Sequence, residues 1–307
     1  MIATPLIELM THRPEPPQAY RLAGVRLVTN LTHPSLAVYA GGEPAAWTNS
    51  PDPPLLEETA ETIFDGQGLI GDGFRRVVCR AYSGGYELVA EGLGRYFISY
   101  EGRIDEAATE AGVDPELLVA TGLGAPLILA LALGGTFAIH ASVIVAGERL
   151  VAFIGESGAG KSTLARYLDR YGLPGWRRVI DDTLPLSLDV HGTCLALPHF
   201  PQLKLPAEMQ PVHLVAEQLP LAAVYVLEAS PAETSTAIRV ARLSAQASTL
   251  ALLQHTVGGR LFGRPLLARH LSFCARVAEG VPVSRLYYPR TFEWLPAVRD
   301  ALAADLQ

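Results

Sequence analysis

The feature that most constrains this chain is the run Gly155-Glu156-Ser157-Gly158-Ala159-Gly160-Lys161-Ser162-Thr163. It matches the pattern G-x-x-x-x-G-K-[ST], which works only between a strand and a helix. The flanks fit that demand. Leu150 to Ile154 is an apolar run, and Leu164-Ala165-Arg166-Tyr167-Leu168 reads as helix. Glycines let backbone N–H groups turn inward around a polyphosphate, so Gly155, Ser157, Gly158, Ala159 and Gly160 form the predicted cradle. Lys161 brings a point charge to the β- and γ-phosphates. Ser162 offers its hydroxyl to Mg²⁺, and Thr163 lies one residue further along, within reach of the α-phosphate. The helix N-terminus adds its dipole to the attraction of an anion.

Asp181-Asp182 follows twenty residues after Lys161, at the end of the short strand Arg178 to Ile180. Two acids at a strand end beside a phosphate loop divide two jobs. One holds a divalent cation, and the other accepts the proton of an attacking hydroxyl. Asp is also common in turns and helix caps, which is the competing explanation. The spacing predicts that the pair sits on the strand next to the loop. It also excludes transporter and motor ATPases, whose acidic strand lies further away. Neither L-S-G-G-Q nor the GTPase signature N-K-x-D occurs.

The chain has 307 residues, which predicts two domains. Residues 1–110 are punctuated by proline and glycine between short apolar runs. They read as a small, mostly β domain, with strands at Val25–Leu31, Leu36–Tyr39, Arg75–Ala81, Tyr86–Ala90 and Arg95–Tyr100. Leu55–Phe64 reads as a helix, and Gly84-Gly85 as a hairpin turn. Residues 111–307 read as α/β. One strand is expected over Ala138–Val145, and helices over Ser244–Val257, Pro265–Glu279 and Phe292–Leu306. Leu117 to His140 carries no Asp, Glu, Lys or Arg and is long enough to span a bilayer. Gly122, Gly124 and Pro126 interrupt it and no Lys/Arg cluster flanks it, so a buried helix over Pro115–Leu133 is expected instead. Hydrophobic residues make up 49%, enough for a core, and the net charge of -7 argues against a nucleic-acid partner. Cys79, Cys194 and Cys274 are too few and too scattered for a disulfide framework or a zinc site. With no signal-peptide pattern at the N-terminus, a cytoplasmic protein without a membrane partner is expected.

Taken together, His140-Ala141-Ser142, the glycine-rich loop and Val179-Ile180-Asp181-Asp182 resemble the core of the HPr serine kinase/phosphorylase family. They resemble in particular the HPr-kinase-related proteins of bacterial peptide-modifying clusters, including kinases of lasso-peptide precursors. The resemblance continues through Pro198-His199-Phe200-Pro201-Gln202-Leu203-Lys204-Leu205 and Tyr288-Pro289-Arg290, and covers roughly residues 115–307. It implies a compact P-loop kinase domain of the kind shared with bacterial phosphoenolpyruvate carboxykinase. It also implies that His140 lies near the transferred phosphate, that Asp181 is the base and that Asp182 helps hold the metal. The E-I-R-G signature of the HPr kinases proper is missing, which separates this chain from HPr itself as a substrate. Lys204 and Arg260 are candidate phosphate or substrate clamps, as phosphoryl transfer depends on positioning and charge stabilisation.

The expectation is therefore an ATP- and Mg²⁺-dependent kinase acting on a serine hydroxyl of a peptide or small protein, with a lasso-peptide precursor as the leading substrate class. A small-molecule kinase of the shikimate or gluconate type is the alternative, although such enzymes usually begin near their loop. A nucleotide-binding scaffold is a third. It need not keep Lys161, Ser162, Asp181 and Asp182 together. Whether the chain self-associates is left open by its sequence.

Overall fold

The structure of the protein is a computed structural model that describes residues 6–10, 18–30, 36, 39–40, 60–71, 73–109, 112–203, 215–229 and 238–306. It is a mixed α/β molecule that divides into two compact units. One comprises Met1–Phe137 with Gly258–Ala268, and the other Ala138–Val257 with Arg269–Gln307.

The first unit is built on a sheet of eight strands among the described residues. They are β1 (Leu6–Met10), β2 (Gln18–Leu22), β3 (Val25–Thr29), β4 (Glu61–Ile70), β5 (Gly73–Tyr82), β6 (Gly85–Ala90), β7 (Gly94–Ser99) and β8 (Arg103–Thr109). Their order is β2-β3-β1-β8-β7-β6-β5-β4. β1 runs parallel to both its neighbours, and the other pairs are antiparallel. The expected helix over Leu55–Phe64 is not found where it can be checked. Residues 61–64 open β4, and residues 55–59 lie outside the described residues. Antiparallel pairing with β5, from Glu61 opposite Ala81 to Ile70 opposite Gly73, makes this segment a strand. The hairpin turn falls on Ser83-Gly84, and Gly85 already pairs with Ser99. Gly85 has φ +149, and a Cβ there would lie 2.1 Å from the Ile98 carbonyl oxygen, so no side chain fits.

The apolar stretch that raised the question of a membrane belongs to this unit. Glu116–Leu133 is long and apolar enough to cross a bilayer by length and composition, but 67% of it is buried inside the protein. It is not one helix. α1 (Pro115–Gly122) and α2 (Ala125–Leu133) are separated at Leu123-Gly124. Pro126 has no N–H to give to the preceding turn and cannot continue α1, yet it suits the first turn of α2. Asp114 caps α1 by accepting the Glu116 amide at 3.0 Å. α2 is buried along nearly its whole length and packs against β1, β7 and β8. The contact boundary thus falls after these helices, at Phe137, because their apolar faces pack with the first sheet.

The second unit carries, among the described residues, a sheet of nine strands: β9 (Phe137–His140), β10 (Ser142–Ala146), β11 (Arg149–Ile154), β12 (Arg177–Ile180), β13 (Thr183–Leu188), β14 (Cys194–Ala196), β15 (Leu219–Ala229), β16 (Arg239–Arg242) and β17 (Val283–Tyr288). Its main path is β12-β10-β11-β15-β14-β13-β9, and β17 joins β15 to β16. The single strand expected over Ala138–Val145 is two strands. The break at Ala141 sends β9 and β10 to different places in the sheet. β11 is parallel to β15, and β15 to β17, whereas β10 is antiparallel to both β11 and β12. Four strands, β12, β11, β15 and β17, therefore point the same way and end on one edge.

Helices α3 (Lys161–Tyr171), α4 (Ala245–Gln254), α5 (Arg264–Gly280) and α6 (Leu295–Asp305) complete the elements. α3 buries Lys161, Leu164, Ala165 and Leu168, the i, i+3, i+4, i+7 stripe of an amphipathic helix. That stripe packs with Val151, Phe153, Tyr225, Leu286, Val298 and Leu302 in one core. Phe153 stacks on Tyr225 with centroids 6.0 Å apart. The Tyr225 hydroxyl donates to Asp305 at 2.6 Å and ties the end of α6 to β15.

Candidate active site

The fully buried residues of β11 lead the chain into the glycine-rich loop. Gly155, Gly158 and Gly160 take φ of +149, +77 and +90, values that favour glycine over any other residue. A Cβ at Gly155 would sit 3.1 Å from both the Leu227 carbonyl oxygen and the Ala159 Cβ. The loop closes through the Ala159 amide, which donates to the Glu156 carbonyl at 3.0 Å. Gly160 then opens α3 with no side chain capping the first turn, so the amide groups there remain directed at the loop. Lys161 folds back beneath it, and its Nζ donates to the Gly155 carbonyl at 2.8 Å and to the Glu156 carbonyl at 3.1 Å. Ser157 and Thr163 are exposed, and Ser162 is half-buried.

The aspartates lie on the same edge of the sheet as the loop. β12 and β11 end there together, with β10 between them. The acid-bearing strand is thus one strand removed from the loop strand rather than beside it, a separation of about 10 Å at the usual interstrand spacing. The intervening strand contributes directly, because the Ser142 hydroxyl at its start donates to Asp181 Oδ1. The other oxygen of Asp181 accepts Arg178 Nη1 at 2.7 Å and has Arg166 Nη2 at 3.8 Å. The Asp181 carboxylate is fully enclosed by these partners. Its neighbour faces elsewhere. Asp182 Oδ1 is 3.2 Å from His140 Nδ1, and its Oδ2 accepts the Thr183 hydroxyl at 3.2 Å. The same His140 nitrogen is 2.9 Å from the Asp182 carbonyl oxygen, and the ring remains 39% exposed.

Gln202 holds this corner in place. Its Oε1 accepts the amides of Asp181 and Thr183, each at 3.3 Å. Its Nε2 donates to the carbonyls of Thr183 at 3.2 Å and Phe200 at 2.9 Å. The run Pro198 to Leu205 draws attention in the sequence to the charge of Lys204, yet what it brings to the acid pair is the buried amide of Gln202. Lys204 itself lies outside the described residues. Arg260 is exposed on the 3-10 turn Gly259–Leu261, which belongs to the first unit, whereas the loop and the acid pair belong to the second.

Ser142, Arg178, Gln202 and His255 are polar residues of this edge to which sequence reasoning gave no role. Ser142 and Gln202 lay within quoted motifs, but their partners are 39 and 19–21 residues away, beyond any local pattern. His255 accepts the His140 amide on its carbonyl at 2.8 Å. Its imidazole titrates below the ordinary histidine range. Burial is the main cause, and Lys161 and His140 add to it against an opposing pull from Glu156.

Mg²⁺ takes hard oxygen ligands and usually keeps several waters, relying on one or two carboxylates and the phosphates of its nucleotide. Ser162 and Asp182 supply a hydroxyl and a carboxylate of that kind. Among the described residues no cluster of three or more His, Cys, Asp or Glu could hold an ion by itself. The donor set fits a metal that arrives with a nucleotide and does not fit a resident all-protein metal centre.

No family model matches the sequence. No curated protein matches it either. Among solved structures, the chain is similar to the Hpr(Ser) kinase/phosphatase from Coxiella burnetii, at 13% identity and a TM-score of 0.31, over 55% of this chain and 95% of that one.

Proposed function

We propose that the second unit is a P-loop kinase domain that transfers the γ-phosphate of ATP to a serine hydroxyl of a peptide or small protein, with a ribosomally made precursor of the lasso-peptide kind as the leading substrate class. The observation that carries this reading is the loop Gly155–Gly160. Its three glycines have positive φ, α3 starts without a side-chain cap, the Lys161 ammonium sits on the Gly155 and Glu156 carbonyls, and two aspartates lie on the same strand-end edge. In open α/β sheets that edge is where ligands bind.

Each residue then has a task. Backbone amides of Gly158 and Gly160 with Lys161 neutralise the phosphates, while the Ala159 amide closes the loop on Glu156, and Lys161 exchanges its contacts to the Gly155 and Glu156 carbonyls for phosphate oxygens. Ser162 and Asp182 would hold Mg²⁺, which when bound screens the charge of the phosphates. Asp181 is the base. Its Oδ1 already accepts a serine hydroxyl, that of Ser142, so this oxygen can take the hydroxyl of an acceptor that displaces Ser142. Arg178 donates to the other oxygen at 2.7 Å and fixes the orientation of the carboxylate. Phosphoryl transfer has a loose transition state and demands positioning more than a strong base. His140 orients Asp182 from the open side.

The test is transfer of label from γ-labelled ATP to a panel of serine peptides and hydroxylated metabolites. Wild-type protein is expected to label a serine peptide. Asp181→Asn is expected to lose at least about 100-fold in rate, in line with loss of a general base, while binding ATP as before. Transfer that survives Asp181→Asn contradicts the base assignment, and transfer to metabolites alone contradicts the peptide substrate.

A further inference from the structure

The last strand of the second unit, β17, ends at Tyr288, which stands opposite Ala229 at the end of β15. Its side chain belongs to the apolar core that also holds Ala159 of the glycine-rich loop and Leu164 of the first turn of α3. That packing fixes where the tip of the ring emerges. The hydroxyl lies 3.4 Å from the position a Cβ would take at Gly160, and among the described residues beyond the adjoining chain no other heavy atom comes within 4 Å of that position. The hydroxyl thus borders open space beside the residue that opens α3.

Tyr288 is 2% exposed, yet among the described residues nothing forms a hydrogen bond with its hydroxyl. Buried tyrosine hydroxyls usually find a partner. Tyr225, in the same core, does so by donating to Asp305 at 2.6 Å. Burial also raises the Tyr288 pKa above the ordinary 10, against a lowering pull from Arg290, so the group stays protonated and able to donate. A hydroxyl donor without an acceptor, beside a helix start that no side chain caps, matches an anionic oxygen.

We propose that Tyr288 is a further nucleotide-binding residue of this site, donating its hydroxyl to an oxygen of the α- or β-phosphate, the two phosphates that ATP and ADP share. The proposal rests on the kinase reading above and extends its binding site to the last strand. Gly160 closes the backbone cradle, and in loops of this pattern the cradle holds the α- and β-phosphates, not the transferred one. A hydroxyl beside Gly160 therefore meets the part of the nucleotide that stays behind after transfer.

Tyr288→Phe tests it, because it removes the hydroxyl and keeps the ring in the core. Calorimetric titration compares the variant with wild type for Mg·ATP and for Mg·ADP, and thermal denaturation of the nucleotide-free proteins reads any effect on the fold. Kd should rise by about tenfold or more for each nucleotide, as expected for loss of a hydrogen bond to a charged group. The two losses should agree within about threefold, since ATP and ADP share the contact. The nucleotide-free Tm should stay within about 2 °C of wild type, because the hydroxyl has no partner in the protein to lose. Unchanged affinity for both nucleotides in Tyr288→Phe would overturn the proposal while leaving the kinase reading intact. A loss confined to ATP would also overturn it, because the contact would then lie on the γ-phosphate. So would a Tm more than about 5 °C below wild type together with lost binding, which would make the hydroxyl purely structural. A wild-type protein that binds neither nucleotide would overturn the kinase reading together with this one.

Discussion

At the scale of single residues, what was legible in the sequence is what acts locally. Gly155, Gly158, Gly160 and Lys161 announce themselves because the loop's conformation is a property of consecutive residues, and the structure gives those glycines positive φ. Gln202 shows the opposite case. Its side chain uses two acceptor and two donor positions on backbone groups of Phe200, Asp181 and Thr183. Nothing in the letter Q among prolines and phenylalanine indicates this. Replacing it with alanine leaves buried amides of Asp181 and Thr183 without that acceptor. Gln202→Ala is therefore expected to destabilise the protein by about 1–3 kcal/mol and to slow transfer by misplacing the acid pair. Chemical denaturation and the labelling assay read the two effects separately. Stability and transfer both equal to wild type would show that the amide does not hold the acid corner.

At the scale of elements, the strand–loop–helix unit and the helices near 265 and 295 follow from periodicity, because each buries an apolar stripe, whereas the helix near 245 is marked by its cap, where Ser244 accepts the Ala247 amide. Two breaks did not follow. The apolar run 115–133 splits at Gly124, where the backbone returns so closely that a Cβ would lie 2.8 Å from the Ala120 carbonyl oxygen. The run 138–145 splits at Ala141, since His140 and Ser142 serve different neighbours, Asp182 and Asp181. Gly124 and Pro126 mark the first break locally, whereas the second is a tertiary effect with no local mark. Helix α5 also carries a titration effect. His270 is buried, with Nε2 2.9 Å from the Thr256 hydroxyl oxygen and 3.3 Å from Cys274 Sγ, and burial lowers its pKa from 6.5 to about 4. Between those two values the unfolded chain holds a proton that the folded chain does not. Its contribution to stability is then complete above pH 6.5 and is lost as the pH falls toward about 4. Tm measured from pH 7 down to pH 4 should fall less steeply in His270→Gln than in wild type. Parallel profiles would show that this histidine does not drive acid destabilisation.

At the scale of the whole molecule, the second unit gathers its chemistry through strand direction. β12, β11, β15 and β17 are distant in sequence, yet all end on one edge, where the acid pair, the loop and Tyr288 lie. A Cβ at Gly160 would be 3.4 Å from the Tyr288 hydroxyl, so the last strand reaches the start of α3. The spacing of loop and acids predicted the acid pair on the strand next to the loop, and β10 lies between the two strands instead, because spacing constrains distance along the chain and not strand order. The three cysteines are free and buried, and burial pushes each thiol up to about 12, away from the thiolate form. Calorimetric titration of the full chain with Mg·ATP is the most direct check that the loop and the edge beside it form a nucleotide site. Wild-type protein should bind one nucleotide per chain, Asp181→Asn should bind with similar affinity, and Lys161→Ala should weaken binding by tenfold or more. A wild-type protein that takes up no nucleotide, or a Lys161→Ala protein that binds as well as wild type, would contradict a nucleotide seated on the Gly155–Lys161 loop.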